Sequence, residues 1–401
     1  MTTERAYWLA WSRIHQVGPV TIKRLWEHFG SLAIAWEATA GELLAVDGIG
    51  LLSAEKIVSQ RPKLNPEVLL AQHERENQSF WTPADSDYPP LLFAINDPPP
   101  VLYYRGNLRL SDPNLLTVGI VGTRRPSAYG KKWTQRLSYR LSEQGAIIIS
   151  GLAAGIDTEA HTSCLQQKGH TVAVVGTGVD VVYPVRNQRL YEEIVETGLV
   201  VSEYPDKTGP ERTHFPQRNR IIAGLSRATL VTEAPARSGA LITARLANDY
   251  CREVYALPSS LDNSQGEGCL LAIEQGAQMI LSERTLEEAL IRLPCVVSKH
   301  TKGSSGQSKS GQSESGFPSQ NNPTAQIPVE QVLEPSASVD IAPDLAPDLT
   351  QVLSAVSVEP TILDPIVESS RMETGAVLGA LVQLEILGLV VQLPGMRYQR
   401  A

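Results

Sequence analysis

An α/β fold built on a doubly wound, mainly parallel, Rossmann-like sheet is what this sequence predicts. Six short apolar runs carry the prediction: LLTVGIVG (115–122), AIIIS (146–150), TVAVVG (171–176), LVVSE (199–203), ATLVTEA (228–234) and EVYALP (253–258). They lack polar alternation, so each strand is buried on both faces, which requires helices on either side of a parallel sheet. Amphipathic stretches fill the intervals, near 127–143 and 156–168 among others, and glycine turns follow the strands where such sheets place their ligands.

The 401 residues leave room for two to four domains at roughly 100–200 residues each. With 42% apolar and 19% charged residues, a sizeable core is possible and global disorder is excluded. The net charge of −8 argues against a protein coated in basic residues, so any nucleic-acid role must live on a local patch. No run approaches the roughly 18 apolar residues of a membrane span. The opening MTTERAYWLAWSRIH carries charge where a signal peptide needs an apolar stretch. Four cysteines without a CxxC pair (Cys164, Cys251, Cys269, Cys295) suggest neither disulfides nor zinc. A soluble, reduced, cytoplasmic protein with no metal site is expected.

Residues 1–80 read as a small helical domain with an internal echo. Val17-Gly18-Pro19 and Asp47-Gly48-Ile49-Gly50 each precede a helical pattern, with Gly18 and Gly48 taken as counterparts. VDGIGLLSAEKI resembles a helix-hairpin-helix (SAM-like) element, in which Gly48 and Gly50 would let backbone N–H groups face a phosphate; a plain helix connection fits equally. Six prolines between 81 and 100 exclude helix interiors and open a Rossmann-like domain over 81–298. The Ser/Gly/Gln/Asn-rich stretch 299–346 has almost nothing to bury and should be a flexible linker. The tail, 347–401, reads as a winged helix, with Leu378, Leu381, Leu384 and Leu387 on one helical face and Pro394-Gly395 as a strand turn. Its recognition helix carries Glu373 and Glu385 and no Lys or Arg, which suits packing or protein contact at least as well as DNA reading.

The strand-end loops hold the candidate chemistry. After the first strand comes Gly122-Thr-Arg124-Arg125-Pro-Ser-Ala-Tyr129-Gly, where arginines stand in place of the small residues of a dinucleotide fingerprint. Ser150-Gly151 ends the second strand without the acidic residue a ribose needs, so a nicotinamide cofactor is not expected. Asp157 and His161 share a helix face; a capping Asp backed by a neutral His is the favoured reading over a metal or acid–base pair. The third loop supplies Gly178 beside an aromatic and an arginine. The densest signal is Arg212-Thr-His-Phe215-Pro-Gln-Arg218-Asn219-Arg220, which offers phosphate forks around a stacking face; an arginine cluster pairing with Glu203 or Glu233 is the structural alternative. Glu233 ends a strand, and Ser238-Gly239 opens the next helix as a possible anion site. Between 118 and 230 there are 14 basic and 10 acidic residues, a local excess of positive charge in an acidic chain.

GTRRPSAYG, SGLAAGIDTEAH, GTGVDVVYPVRN, FPQRNRIIAGLS and TEAPARSGALITA, in this order and spacing, resemble the DNA-processing protein A family (DprA/Smf) from about 85 to 290. The resemblance implies a single-stranded-DNA-binding protein of natural transformation (competence) and homologous recombination. It would protect incoming strands and load a RecA-family recombinase, as a homodimer through the Rossmann-like domain. By position, Arg124, Arg212, Phe215, Arg218, Asn219 and Arg220 would line the DNA pocket, with Ser150-Gly151 and Ser238-Gly239 adding backbone contacts. Gly122, Arg125, Tyr129, Gly178 and Glu233 stand as secondary candidates. No cofactor and no catalytic residue is implied. Two segments depart from the family pattern, Pro258-Ser259-Ser260 and Gly266-Glu267-Gly268-Cys269, and that edge could be shaped differently. A nucleotide-processing enzyme of the phosphoribohydrolase type, with Glu233 near Ser238-Gly239 holding a nucleoside monophosphate, is one alternative. A protein-interaction adaptor with purely structural arginines is the other.

Overall fold

The computed structural model describes residues 3–77 and 79–293, and in the tail 347–357, 361–370, 372, 374–386, 389–393 and 397–400. Two compact units result, one within 1–306 and one within 307–401. The expected linker, Pro394-Gly395, Glu373 and Leu387 lie outside the described residues.

The first unit is organised by a nine-stranded sheet. Its strands are β1 (Phe80–Trp81), β2 (Leu102–Gly106), β3 (Thr117–Gly122), β4 (Ile147–Ser150), β5 (Thr171–Val174), β6 (Leu199–Ser202), β7 (Ala228–Glu233), β8 (Glu253–Ala256) and β9 (Gln278–Met279). They lie in the order β1-β2-β6-β5-β4-β3-β7-β8-β9, and β6 through β9 are parallel. All six predicted strands are present in that parallel part. The unpredicted β1 and β2 add an antiparallel edge, β2 pairing with β6. Alternate residues go to opposite buried faces: Ile147 and Ile149 of β4 join Val121, Ile222 and Val231 on one side, while Ile148 joins Val118, Ile120 and Leu230 on the other. Both faces are covered by helices, as the unbroken apolar runs require.

From β3 the chain winds outward through β4, β5 and β6, then returns to β7 on the other flank of β3. That reversal opens a crevice at the carboxyl ends of β3 and β7, the place where doubly wound sheets bind ligands.

The front helices pack on this sheet domain through an aromatic cluster in which Trp8 and Trp26 meet Phe93 edge-on. Within them the repeat is real, but its register differs from the expected one. Gly18 corresponds to Gly50: both take extended backbone (φ −93° and −87°) immediately before the helices Pro19–Phe29 and Leu51–Gln60. Gly48 (φ +80°) corresponds to Gln16 (φ +71°), a left-handed position filled once by glycine and once by a polar residue. Each second helix reaches the other hairpin's turn, Arg24 pairing with Asp47 at 3.2 Å and Lys56 donating to the Gln16 amide oxygen at 2.5 Å.

The second unit contains helices Pro347–Ala355, Leu363–Ser370 and Thr374–Ile386, with a three-stranded sheet of β10 (Thr361–Ile362), β12 (Arg397–Arg400) and β11 (Val390–Leu393) in that spatial order. Val377, Leu381 and Leu384 of its third helix are buried with Val352 and Ile366, which is winged-helix architecture.

Two buried histidines set an acid limit on the first unit. His161 bonds the Thr171 hydroxyl at 2.7 Å, and burial holds it down from the usual 6.5 to about 3. His73, in contact with the Tyr103 hydroxyl at 2.9 Å, is held at about 4, chiefly by burial. Unfolding frees both imidazoles to take up protons, so stability is present above their ordinary pKa and declines as the pH falls toward those lowered values. Thermal melts between about pH 7 and pH 4 should show Tm falling through this window. Replacing His161 with Asn should flatten the fall; an unchanged slope would place the acid sensitivity elsewhere.

Candidate nucleic-acid groove at the sheet's switch point

The helix His214–Leu225 sets the site. Pro216 sits in its first turn, where a missing N–H costs nothing, and the helix ends at Ser226. Phe215, Arg218, Asn219 and Ile222 follow the i, i+3, i+4, i+7 spacing, and this face lines a groove of about 570 Å³. The opposite wall is the end of β3 with the following turn, Val121 to Arg124, together with Ala153 and Asp157 after β4. Arg237, Ser238, Gly239 and Ile242, which open the helix Gly239–Asp249, close a third side.

Arg124 is exposed, and its guanidinium lies over the Phe215 ring at 5.5 Å from the centroid. Tyr183 packs against the same ring at 5.5 Å. Behind them a smaller recess of about 80 Å³ is walled by Gly151, Gly176, Tyr183, Phe215 and Arg218.

Arg218 is the buried cation of the site. Its Nη1 donates to the Gly151 carbonyl at 2.8 Å and to the Val174 carbonyl, tying the helix to the ends of β4 and β5. Burial lowers its pKa to about 10, partly offset by the Asp157 carboxylate. Its Nε has no partner among the described residues. A side chain on residue 151 would place Cβ 2.4 Å from Nη1, so it would have to displace the guanidinium from its present position. Gly155, at φ +87°, lets the helix Ile156–Gln166 start against the Thr123 carbonyl, 2.4 Å from where a Cβ would sit.

The structure therefore gathers Gly122, Arg124, Arg212, Phe215, Arg218, Asn219, Ser238 and Gly239 around one groove. Arg125 follows directly, its N–H held by the Thr123 hydroxyl at 3.2 Å. Other expected members have structural employment instead. Arg220 points to the far side of its helix, pairing with Glu203 at 2.5 Å and with Asp97 at 3.7 Å, so it is corrected from a groove residue to a buried ion-pair residue. Glu233 accepts hydrogen bonds from the Ser127 N–H (2.7 Å), the Ser127 hydroxyl (2.6 Å) and Asn263 (3.3 Å), which anchors the start of helix Ala128–Glu143. The Ser150 hydroxyl donates to the Ile120 carbonyl, and the Gly151 N–H donates to Asp157 at 3.2 Å, so neither is free for a phosphate. Tyr129 donates to the Pro258 carbonyl outside the groove, and the Gly178 N–H donates to Thr208. Gly48 and Gly50 belong to the front hairpin. At the atypical edge, Ser259 accepts from Asn263, and the Gly268 N–H donates to the Ala234 carbonyl at 2.7 Å, locking those loops to the end of β7.

Tyr183 and Arg237 were missing from the expected site. Each had a signal: Tyr183 sits inside the GTGVDVVYPVRN loop beside a strand end, and Arg237 immediately precedes the Ser238 helix cap. Asp157 was read as a helix cap; the N-cap is Gly155, and the Asp157 carboxylate instead accepts from the Gly151 N–H at 3.2 Å and the Ala153 N–H at 3.3 Å in the turn before the helix. No helix among the described residues is long and apolar enough to cross a membrane.

Fold and site together define a Rossmann-like protein with an arginine-walled, aromatic-floored groove and a winged-helix unit. The family profile described as "DNA recombination-mediator protein A" matches residues 79–291, and that of the "DprA winged helix domain" matches 336–396. Protein Smf of Synechocystis is 48% identical over 99% of both chains. DNA processing protein DprA of Bacillus subtilis is 39% identical over 57% of this chain and 76% of its own. The X-ray structure of DprA from Streptococcus pneumoniae superposes with a TM-score of 0.60 at 35% identity, covering 71% of this chain and 97% of that one. The chain belongs to the DprA/Smf family of DNA recombination-mediator proteins.

The two kinds of arginine should separate cleanly by mutation. Arg220→Ala leaves the half-buried Glu203 without its arginine partner and should cost about 3 kcal/mol of stability in denaturant titration. Arg124→Ala, at an exposed position, should leave the denaturation midpoint within about 0.5 kcal/mol of the parent. Equal losses would make Arg124 structural as well.

Proposed function

We propose that this protein binds single-stranded DNA without sequence preference in the switch-point groove and acts as a non-catalytic recombination mediator. The observation that carries the reading is Arg124 lying over Phe215 in a groove also lined by Arg212, Arg218 and Arg237. Guanidinium forks hold phosphates whatever the base, and an aromatic face stacks any base. Ser238 and Gly239 would add a helix N-terminus to the phosphate contacts. Family membership supports the finer assignments: protection of incoming strands, loading of a RecA-family recombinase during natural transformation or general recombination, and a cytoplasmic setting.

A homodimer through the Rossmann-like domain fits the surface around β9. Its outer edge is unpaired among the described residues, and Met279 (46%) within it and Leu281 (73%) just after it are exposed. Exposed edges and apolar patches of this kind call for a partner. Leu281→Arg should convert a dimer to a folded monomer in sedimentation analysis; a wild-type monomer, or a mutant dimer, would reject this surface.

The enzyme alternative loses its key residue, because Glu233 is held by Ser127 and Asn263. Binding of a labelled oligonucleotide across a salt series tests the DNA reading. The log–log slope should be about −0.7 per phosphate contact, and Arg124→Ala should make it shallower by about that amount. Phe215→Ala should weaken binding by about 1–3 kcal/mol with little change in slope. Displacement by a nucleoside monophosphate at equal concentration would favour the enzyme, and absence of binding at low salt would favour an adaptor.

A further inference from the structure

The glycine turn after β4 has the form of an anion-binding turn, yet the protein fills it with its own carboxylate. Asp157 folds back from the first turn of helix Ile156–Gln166 to accept the Gly151 and Ala153 N–H groups, at 3.2 and 3.3 Å. Only 7% exposed, it still contributes to the groove wall. The charged groups facing it are Arg218 from helix His214–Leu225 and Arg124 from the turn after β3. His161, one turn further along its own helix, is neutral, since burial holds it at about 3. Arg218 lines the same groove, and its buried Nε has no partner among the described residues.

A strand phosphate at this wall would meet the two cations that now balance Asp157. Two anions would then share Arg218 and Arg124 in a partly dehydrated site, and like charges held close favour protonation of one of them. Burial already pushes the Asp157 pKa above its ordinary value, so the carboxylate rather than the phosphate yields. We propose that Asp157 is a positioning residue of the groove that takes up one proton from solvent when a single strand docks on Arg124 and Arg218, an inference that rests on this groove being the DNA site. The proton goes to a carboxylate oxygen, and the carboxyl group still accepts the turn N–H groups, so the loop keeps its shape while the cations turn to the phosphate.

Titration calorimetry with oligo(dT) in two buffers of different ionisation enthalpy, at about pH 6, reads the proton directly. Wild-type protein should show fractional proton uptake and tighter binding as the pH falls, by at most about tenfold per unit. Asp157→Asn should lose both effects and bind at least as tightly as the parent. His214→Asn, which removes the imidazole stacked on Tyr204, should keep both effects and so excludes that imidazole as the proton's acceptor. Binding by wild type without proton uptake, uptake retained in Asp157→Asn, or uptake lost in His214→Asn would each overturn the proposal. No binding by wild type at all would overturn the groove reading itself.

Discussion

Burying a guanidinium calls for acceptors around it, and the site of this protein is arranged around the two carbonyls that meet Arg218 Nη1. Its bonds to the Gly151 and Val174 carbonyls join helix His214–Leu225 to the ends of β4 and β5. That attachment sets the guanidinium where a Cβ on residue 151 would lie and places Phe215 one turn earlier, under Arg124. Losing it would free the helix face that lines the groove. The cost of burying the charge is visible in a pKa lowered to about 10, and the partner that offsets it, Asp157, is itself buried.

The same helix separates two roles by its faces. Residues 215, 218, 219 and 222 look into the groove, while Arg220 and Gly224 look the other way, toward Asp97, Leu92 and Ile95. The segment after Pro89 that carries those three residues also carries Phe93, which inserts between Trp8 and Trp26 of the front helices. Through this strut the front helices brace the back of the helix whose front face holds the groove. A cluster of three arginines in sequence thus divides into one exposed flank residue (Arg212), one buried wall residue (Arg218) and one internal ion pair (Arg220).

Much of this was legible in the sequence, because unbroken apolar runs admit few architectures. Six of the seven parallel strands fall where those runs lie, β9 being the exception, and the glycine loops meet at one crevice because strand order places β3 between β4 and β7. Side-chain direction was not legible. Arg218 and Arg220 differ by two positions, which on a helix is a rotation to nearly opposite faces, and composition cannot say which faces the groove. Glu233 looked like a ligand group at a strand end until Ser127 and Asn263 were seen to hold it. β1 and β2 were missed because the first has only two residues and the second is partly exposed. The register of the front repeat was misread because Gln16, not a glycine, takes the left-handed position in its first copy.

The central claim is that a single strand lies across the crevice at β3 and β7 with its bases against Phe215. Ultraviolet cross-linking of thymidine-rich single strands, followed by mass spectrometry of the linked peptides, tests it most directly. The account predicts cross-links on the peptides that carry Phe215 and Tyr183, lost in Phe215→Ala and Tyr183→Ala respectively. Cross-links confined to the hairpin around Gly50 or to the winged-helix unit, with none at the groove, would contradict it.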